Sequence, residues 1–161
     1  MIVREICEFK THLPDDQVEE DGDIVEYGGE GMTVALSGIL SDLGWTVVET
    51  EYLDMRGWNI YARKAIDVSL RVQSYHPDFH LGIYNKSKVK GYEIHHWDLL
   101  SQMNAALRAD ARFYDIQWKT RDDGMFDDAP GATEPLAEGE RDRIPVAVPV
   151  KPWWKKLLRL D

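Results

Sequence analysis

His76, Asp78 and His80 are the residues of this chain best spaced for chemistry. On an extended strand, residues two apart point to the same side. Two imidazoles and a carboxylate on one side could hold a metal ion and leave coordination positions open, as a metal-dependent hydrolase requires. His95 and His96 could approach from a neighbouring helix. Pro77 interrupts the segment, and Tyr75 to Asp78 reads as a turn. The plainer reading is that His76 and Asp78 cap that turn while His80 sits exposed or packs on a neighbour. His95 and His96 then read as a capping and surface pair near a helix start.

Cys7 is the only cysteine, so no internal disulfide is available and a reducing compartment, the cytoplasm, is the expectation. Within Ile6-Cys7-Glu8-Phe9 it reads as a small buried hydrophobe rather than a nucleophile. No Ser-His-Asp or Cys-His grouping has a supporting local motif, so the chain reads as non-catalytic, with no cofactor expected.

The elements that must position these residues follow from hydrophobic spacing. Ile2 to Phe9 alternates as a first strand, ended by Pro14. Met32, Leu36, Ile39, Leu40 and Leu43 form one apolar stripe, predicting a helix over 32–43 with Gly44 as its left-handed stop. Four closely spaced strands follow, over 45–52, 58–64, 68–73 and 79–84. Ile94, Trp97, Leu100, Met103 and Leu107 predict a second helix over 94–109, and 112–119 reads as a last strand. In that strand, strict alternation sets Phe113, Asp115 and Gln117 against Tyr114, Ile116 and Trp118. The expected architecture is α+β: an antiparallel sheet of five to six strands with two helices on one face, in the order β-α-β-β-β-β-α-β over residues 1–119.

Such a sheet has a second face turned to water. Tyr61, Arg63, Arg71, Tyr75, His80 and Tyr84 fall on it, with Asn59, Ser69 and Gln73. Aromatics and arginine carry most of the energy at protein interfaces, so the first six are candidate partner-binding residues. Beyond the domain, 120–150 reads as an acidic Pro/Gly-rich linker or arm. Residues 151–161 read as a short amphipathic helix. Trp153, Trp154 and the leucines lie on one side of it, and Lys155, Lys156 and Arg159 on the other. So short a helix needs a surface. Trp153 and Trp154 are therefore further candidate contacts, with the domain itself, a second copy or a membrane as the surface met by residues 152–160.

Charge bounds the partner. The chain carries 19 basic and 29 acidic residues, a net −10. Residues 1–43 hold 11 acids against 2 bases, whereas residues 44–118 are neutral. A nucleic-acid binder shows a basic face, so nucleic acid is not expected. The acidic run over 15–30, DDQVEEDGDIVEYGGE, fails as a calcium loop. With Gly22 in the EF-hand glycine position, the first ligand position falls on Gln17 and the last on Gly28. It reads as a solvated loop, with a short strand near Ile24 to Tyr27. Gly28-Gly29-Glu30-Gly31 precedes the first helix but matches no phosphate loop, and its flanking acids would repel phosphate. Small size, an acidic front and a neutral α+β body fit a non-catalytic inhibitor, immunity-type or chaperone-like module that docks a basic protein. The alternatives are the His/Asp metal hydrolase and a peripheral membrane or assembly protein tethered by the tail.

Overall fold

The computed structural model describes residues 2–123 and 131–137. In chain order its elements are β1 (Ile6–Thr11), β2 (Val18–Glu20), β3 (Asp23–Glu26), α1 (Glu30–Asp42), β4 (Thr46–Tyr52), β5 (Trp58–Arg63), β6 (Asp67–Tyr75), β7 (Asp78–Asn85), α2 (Tyr92–Ala109) and β8 (Phe113–Lys119). Six strands form an antiparallel sheet in the order β4-β5-β6-β7-β1-β8, and β2 pairs with β3 as a separate hairpin. The α+β class and the element order agree with the expectation from spacing. The expected helix over 151–161, with Trp153 and Trp154, lies outside the described residues.

Period-two alternation builds the core. Ile60 pairs with Leu70 and Leu70 with Ile83, while Val72, Leu81, Cys7 and Trp118 form a second row across the sheet. All of these are buried. α1 lies on β4 and β5, α2 lies on β7 and β8, and the helices touch, so both cover one face. Trp118 brings an indole N–H into this core, where it donates to Asn104 Oδ1 at 2.8 Å, as a buried donor must.

Gly44, at φ 82°, ends α1 as expected. The Trp45 N–H donates to the Leu40 carbonyl and the Gly44 N–H to that of Ser41, a Schellman stop. Gly57, at φ 78°, closes the β4–β5 connection where a Cβ would stand 2.1 Å from the Val72 carbonyl oxygen. No other residue fits there.

Three local departures have physical causes. The first strand starts at Ile6 rather than Ile2, because Val3 and Arg4 bridge to Leu136 and Pro135 instead. The acidic loop is a hairpin, turned by Asp21 and Gly22, both at positive φ as a type I′ turn needs. β8 does not alternate strictly. Asp115 takes φ 52°, and the register against β1 slips by one residue. The resulting bulge lets Phe113, Ile116 and Trp118 all reach the core. Residues 131–137, within the composition-defined arm, lie along the free edge of β8, where Ala132 and Trp118 exchange two backbone hydrogen bonds of 2.8 Å. Arg108 anchors this segment by donating to the Thr133 carbonyl at 2.6 Å.

The glycine-rich stretch before α1 does hold an anion, and the anion belongs to the chain. The Gly29 and Gly31 N–H groups donate to the two carboxylate oxygens of Asp16, each at 2.7 Å. A Cβ on Gly28 would stand 2.8 Å from the same carboxylate, so glycine makes the room. The helix N-terminus favours the negative charge. Replacing Asp16 with Ala removes both bonds. We expect a loss of about 1–2 kcal/mol in urea unfolding, with faster amide exchange over residues 18–26.

Candidate functional site

The sheet face away from the helices gathers the residues that alternation assigned to it. Tyr61, Ser69 and Tyr84 form one cross-strand row. Asn59, Arg71, Gly82, Ile6 and Lys119 form the next, and Gln73, His80, Glu8 and Gln117 a third. Tyr75 pairs with Asp78 at the hairpin end, and Arg63 faces Asp67, with Nε 2.5 Å from Oδ1. The six expected contact residues thus share one surface. It is not uniformly wet: Asn59, Ser69, His80 and Lys119 are buried, with His80 6% and Lys119 4% exposed. Tyr75 and Arg63 remain exposed, and the Tyr61 hydroxyl lies 3.4 Å from Glu51.

Buried charge organises this face. Lys119 Nζ stands 2.7 Å from Glu8 Oε2. Beside this pair, burial pushes the His80 imidazole below its ordinary pKa, an effect that Glu8 opposes and Lys119 reinforces. Tyr84 folds across Gly82, where a Cβ would stand 2.2 Å from its hydroxyl. The Arg121 guanidinium lies 4.7 Å from the Tyr84 ring centre. Burial pushes the Tyr84 hydroxyl up against the opposing pull of Arg121 and Arg71. Arg71 Nε is buried without a hydrogen bond.

Glu5 links this face to the helix side. It accepts from Arg121 Nε at 2.5 Å and lies 3.7 Å from His96 Nε2. His96 is buried, not the surface residue expected from its position near the helix start. Its Nε2–H donates to the Ile83 carbonyl at 3.1 Å, which fixes the ring against β7. Burial pushes its pKa down, while the Ile83 bond and Glu5 oppose the shift. Glu5, Tyr92, Glu93, His96 and Arg121 line part of a groove of about 360 Å³ at this end of the sheet. Glu5 and Arg121 stand 116 positions apart, so no local pattern in the chain announces their pairing.

The metal arrangement is not assembled. His76 occupies the β6–β7 turn, in a cis His76-Pro77 unit, and its Nε2 lies 3.0 Å from the Leu13 carbonyl oxygen. Asp78 and His80 point from β7 to the outer face. Among the described residues no three His, Cys, Asp or Glu side chains gather closely enough to hold a metal ion. Cys7 is fully buried, and burial pushes its thiol far above the ordinary value, so it carries no reactive thiolate.

The second candidate surface is the β2–β3 hairpin. Apart from half-buried Glu26, both its strands are exposed, so the hairpin stands off the body with Val18, Ile24 and Val25 uncovered. Glu19, Glu20, Asp21, Asp23 and Glu26 surround them. Its base is held by Asp16 and by the Tyr27 N–H, which donates to the Tyr52 hydroxyl at 2.9 Å. No described helix is long and apolar enough to cross a membrane.

Two measurements test this electrostatic layout. Lys119→Ala takes the buried ammonium away from the half-buried Glu8 carboxylate and should cost about 2 kcal/mol. The double change Glu8→Gln with Lys119→Met should recover most of that loss. Secondly, His80 and His96 titrate lower in the folded chain than in the unfolded one, whose imidazoles titrate near pH ~6.5. Over that interval the unfolded chain binds more protons. Stability therefore falls as pH drops from about 7 towards 5, by at most ~1.4 kcal/mol per pH unit per histidine, and levels off below the folded values. Urea midpoints across this range should show the slope, and His80→Gln with His96→Gln should flatten it.

Comparison with family models, curated proteins and solved structures gives no significant match for this chain.

Proposed function

We propose that this chain is a non-catalytic binding module of the inhibitor, immunity or chaperone-like kind, acting in the cytoplasm by docking a basic protein. The observation that carries this reading is the β2–β3 hairpin. Its strands are exposed apart from half-buried Glu26, and it mixes five carboxylates with three uncovered aliphatic side chains. A two-stranded hairpin has little stability of its own. Here Asp16 and Tyr52 hold its base while its faces stay uncovered. That combination suits a partner with a basic rim around an apolar centre. The carboxylates steer the encounter, and the aliphatic groups supply area to bury.

The concentration of acid in residues 1–43 favours a basic partner.

Charge reversal tests the reading. The wild-type chain and the Glu19→Lys, Glu20→Lys, Asp23→Lys variant would each be immobilised and exposed to lysate of the source cell at low and high salt. The wild type should retain a defined set of basic proteins at low salt and release it at high salt, and the variant should lose that set at both. Equal retention by the two chains, or retention independent of salt, would remove the proposal. Circular dichroism of the variant checks that the body remains folded, because all three sites are exposed.

A further inference from the structure

The sheet has two edges, β4 and β8. Ala132 pairs with Trp118 on the β8 edge, whereas β4 has no outer partner among the described residues. Its sequence, Thr46-Val47-Val48-Glu49-Thr50-Glu51-Tyr52, is rich in β-branched residues and largely exposed. An open edge presents unpaired N–H and C=O groups to any extended chain. Proteins that must keep such an edge closed shorten it, twist it or charge it. β4 has seven residues, so it is not shortened. It does carry a bulge at Val48, where the register against β5 slips by one residue, and it carries two glutamates.

Those glutamates discriminate between occupants. In an antiparallel pairing of two copies of β4 centred on Thr50, Glu49 of each copy would face Glu51 of the other. Like charges directly opposite are destabilising, so this register, which would pair the most residues of the strand's acidic half, is disfavoured for a second copy. The same charges favour a strand bearing lysine or arginine. Beside the edge lies a depression of about 360 Å³ lined in part by Val48, Glu49, Glu51, Tyr61, Arg63 and Asp67. Arg63 is held by Asp67 at 2.5 Å, so Glu49 and Glu51 outweigh the one remaining base there, Lys86. Val48, 57% exposed, offers an apolar contact at the bulge, and Tyr61 offers a wall for an aliphatic stem. The acidic hairpin is anchored at the end of the same strand, where the Tyr27 N–H donates to the Tyr52 hydroxyl.

The geometry points to the β4 edge as the docking site for an extended basic segment of a partner protein. The segment would add antiparallel to β4 as a further strand. Its main chain takes the open hydrogen-bonding groups, and alternate lysines or arginines enter the depression to meet Glu49 and Glu51. This assignment rests on the reading of the chain as an acidic docking module and names where and how the partner binds.

The test uses the isotope-labelled full chain and two short extended peptides, one alternating lysine with valine and threonine, the other with glutamate in place of lysine. Amide shifts and hydrogen exchange would be followed residue by residue. The lysine peptide should slow exchange over residues 46–52 and shift Val48 and Tyr61, and the glutamate peptide should do neither. Glu49→Lys with Glu51→Lys should weaken the lysine peptide about tenfold or more, while the amide spectrum elsewhere stays unchanged. If the lysine peptide perturbs the β2–β3 hairpin and leaves β4 untouched, the edge assignment fails while the acidic docking reading stands. If it perturbs neither, both fail. Concentration-dependent shifts of β4 without peptide would make a second copy the occupant and overturn the assignment.

Discussion

β1 must lie between β7 and β8, although the chain makes β8 more than a hundred residues later. The sheet is complete only when α2 carries the chain from the far side of β7 over the core and back alongside β1. This single insertion makes β7 and β8 run parallel to each other with an antiparallel strand between them. It also places Glu5 and Glu8 beside groups that arrive from the end of the domain. The Glu8–Lys119 pair and the Glu5–Arg121–His96 chain are consequences of that placement. The acidic start of the chain is thereby tied to the last strand at the points where charge would otherwise be buried unpaired.

What the amino-acid sequence reveals divides along the same line. The meander from β4 to β7 is legible because each strand pairs with its neighbour in the chain, and alternation alone sorts Val68, Leu70 and Val72 from Ser69, Arg71 and Gln73. The same alternation puts Tyr61, Arg71, His80 and Tyr84 on one face. It does not say how much water that face meets, so Ser69 and His80 are more buried than their polarity suggests. Parity also breaks at Asp115, where one left-handed residue re-phases the strand. His96 illustrates the other failure. A histidine two residues from the expected start of a helix looks like a cap, and only the position of Ile83 on β7 makes it a buried donor.

The glycines ahead of α1, which match no phosphate loop, hold an anion of the chain's own. Backbone N–H groups at a helix start do attract an anion, and acids nearby do repel an external one. The resolution is that one of those acids is the ligand. Asp16 occupies the position, and in doing so fastens the hairpin's root to the helix. The hairpin's own residues bury little, so this fastening substitutes for packing. A base held by these hydrogen bonds leaves the hairpin fewer conformations than a free strand pair has.

The strip of residues 131–137 along β8 carries an implication for stoichiometry. A sheet open at both edges can pass an added strand's unpaired groups on to the next chain, and growth then has no natural end. Here the chain itself takes the outward backbone groups of one β8 residue, Trp118, through Ala132. At that residue the edge is not open to a strand from a second copy. A stack through β8 would first have to release those two 2.8 Å bonds.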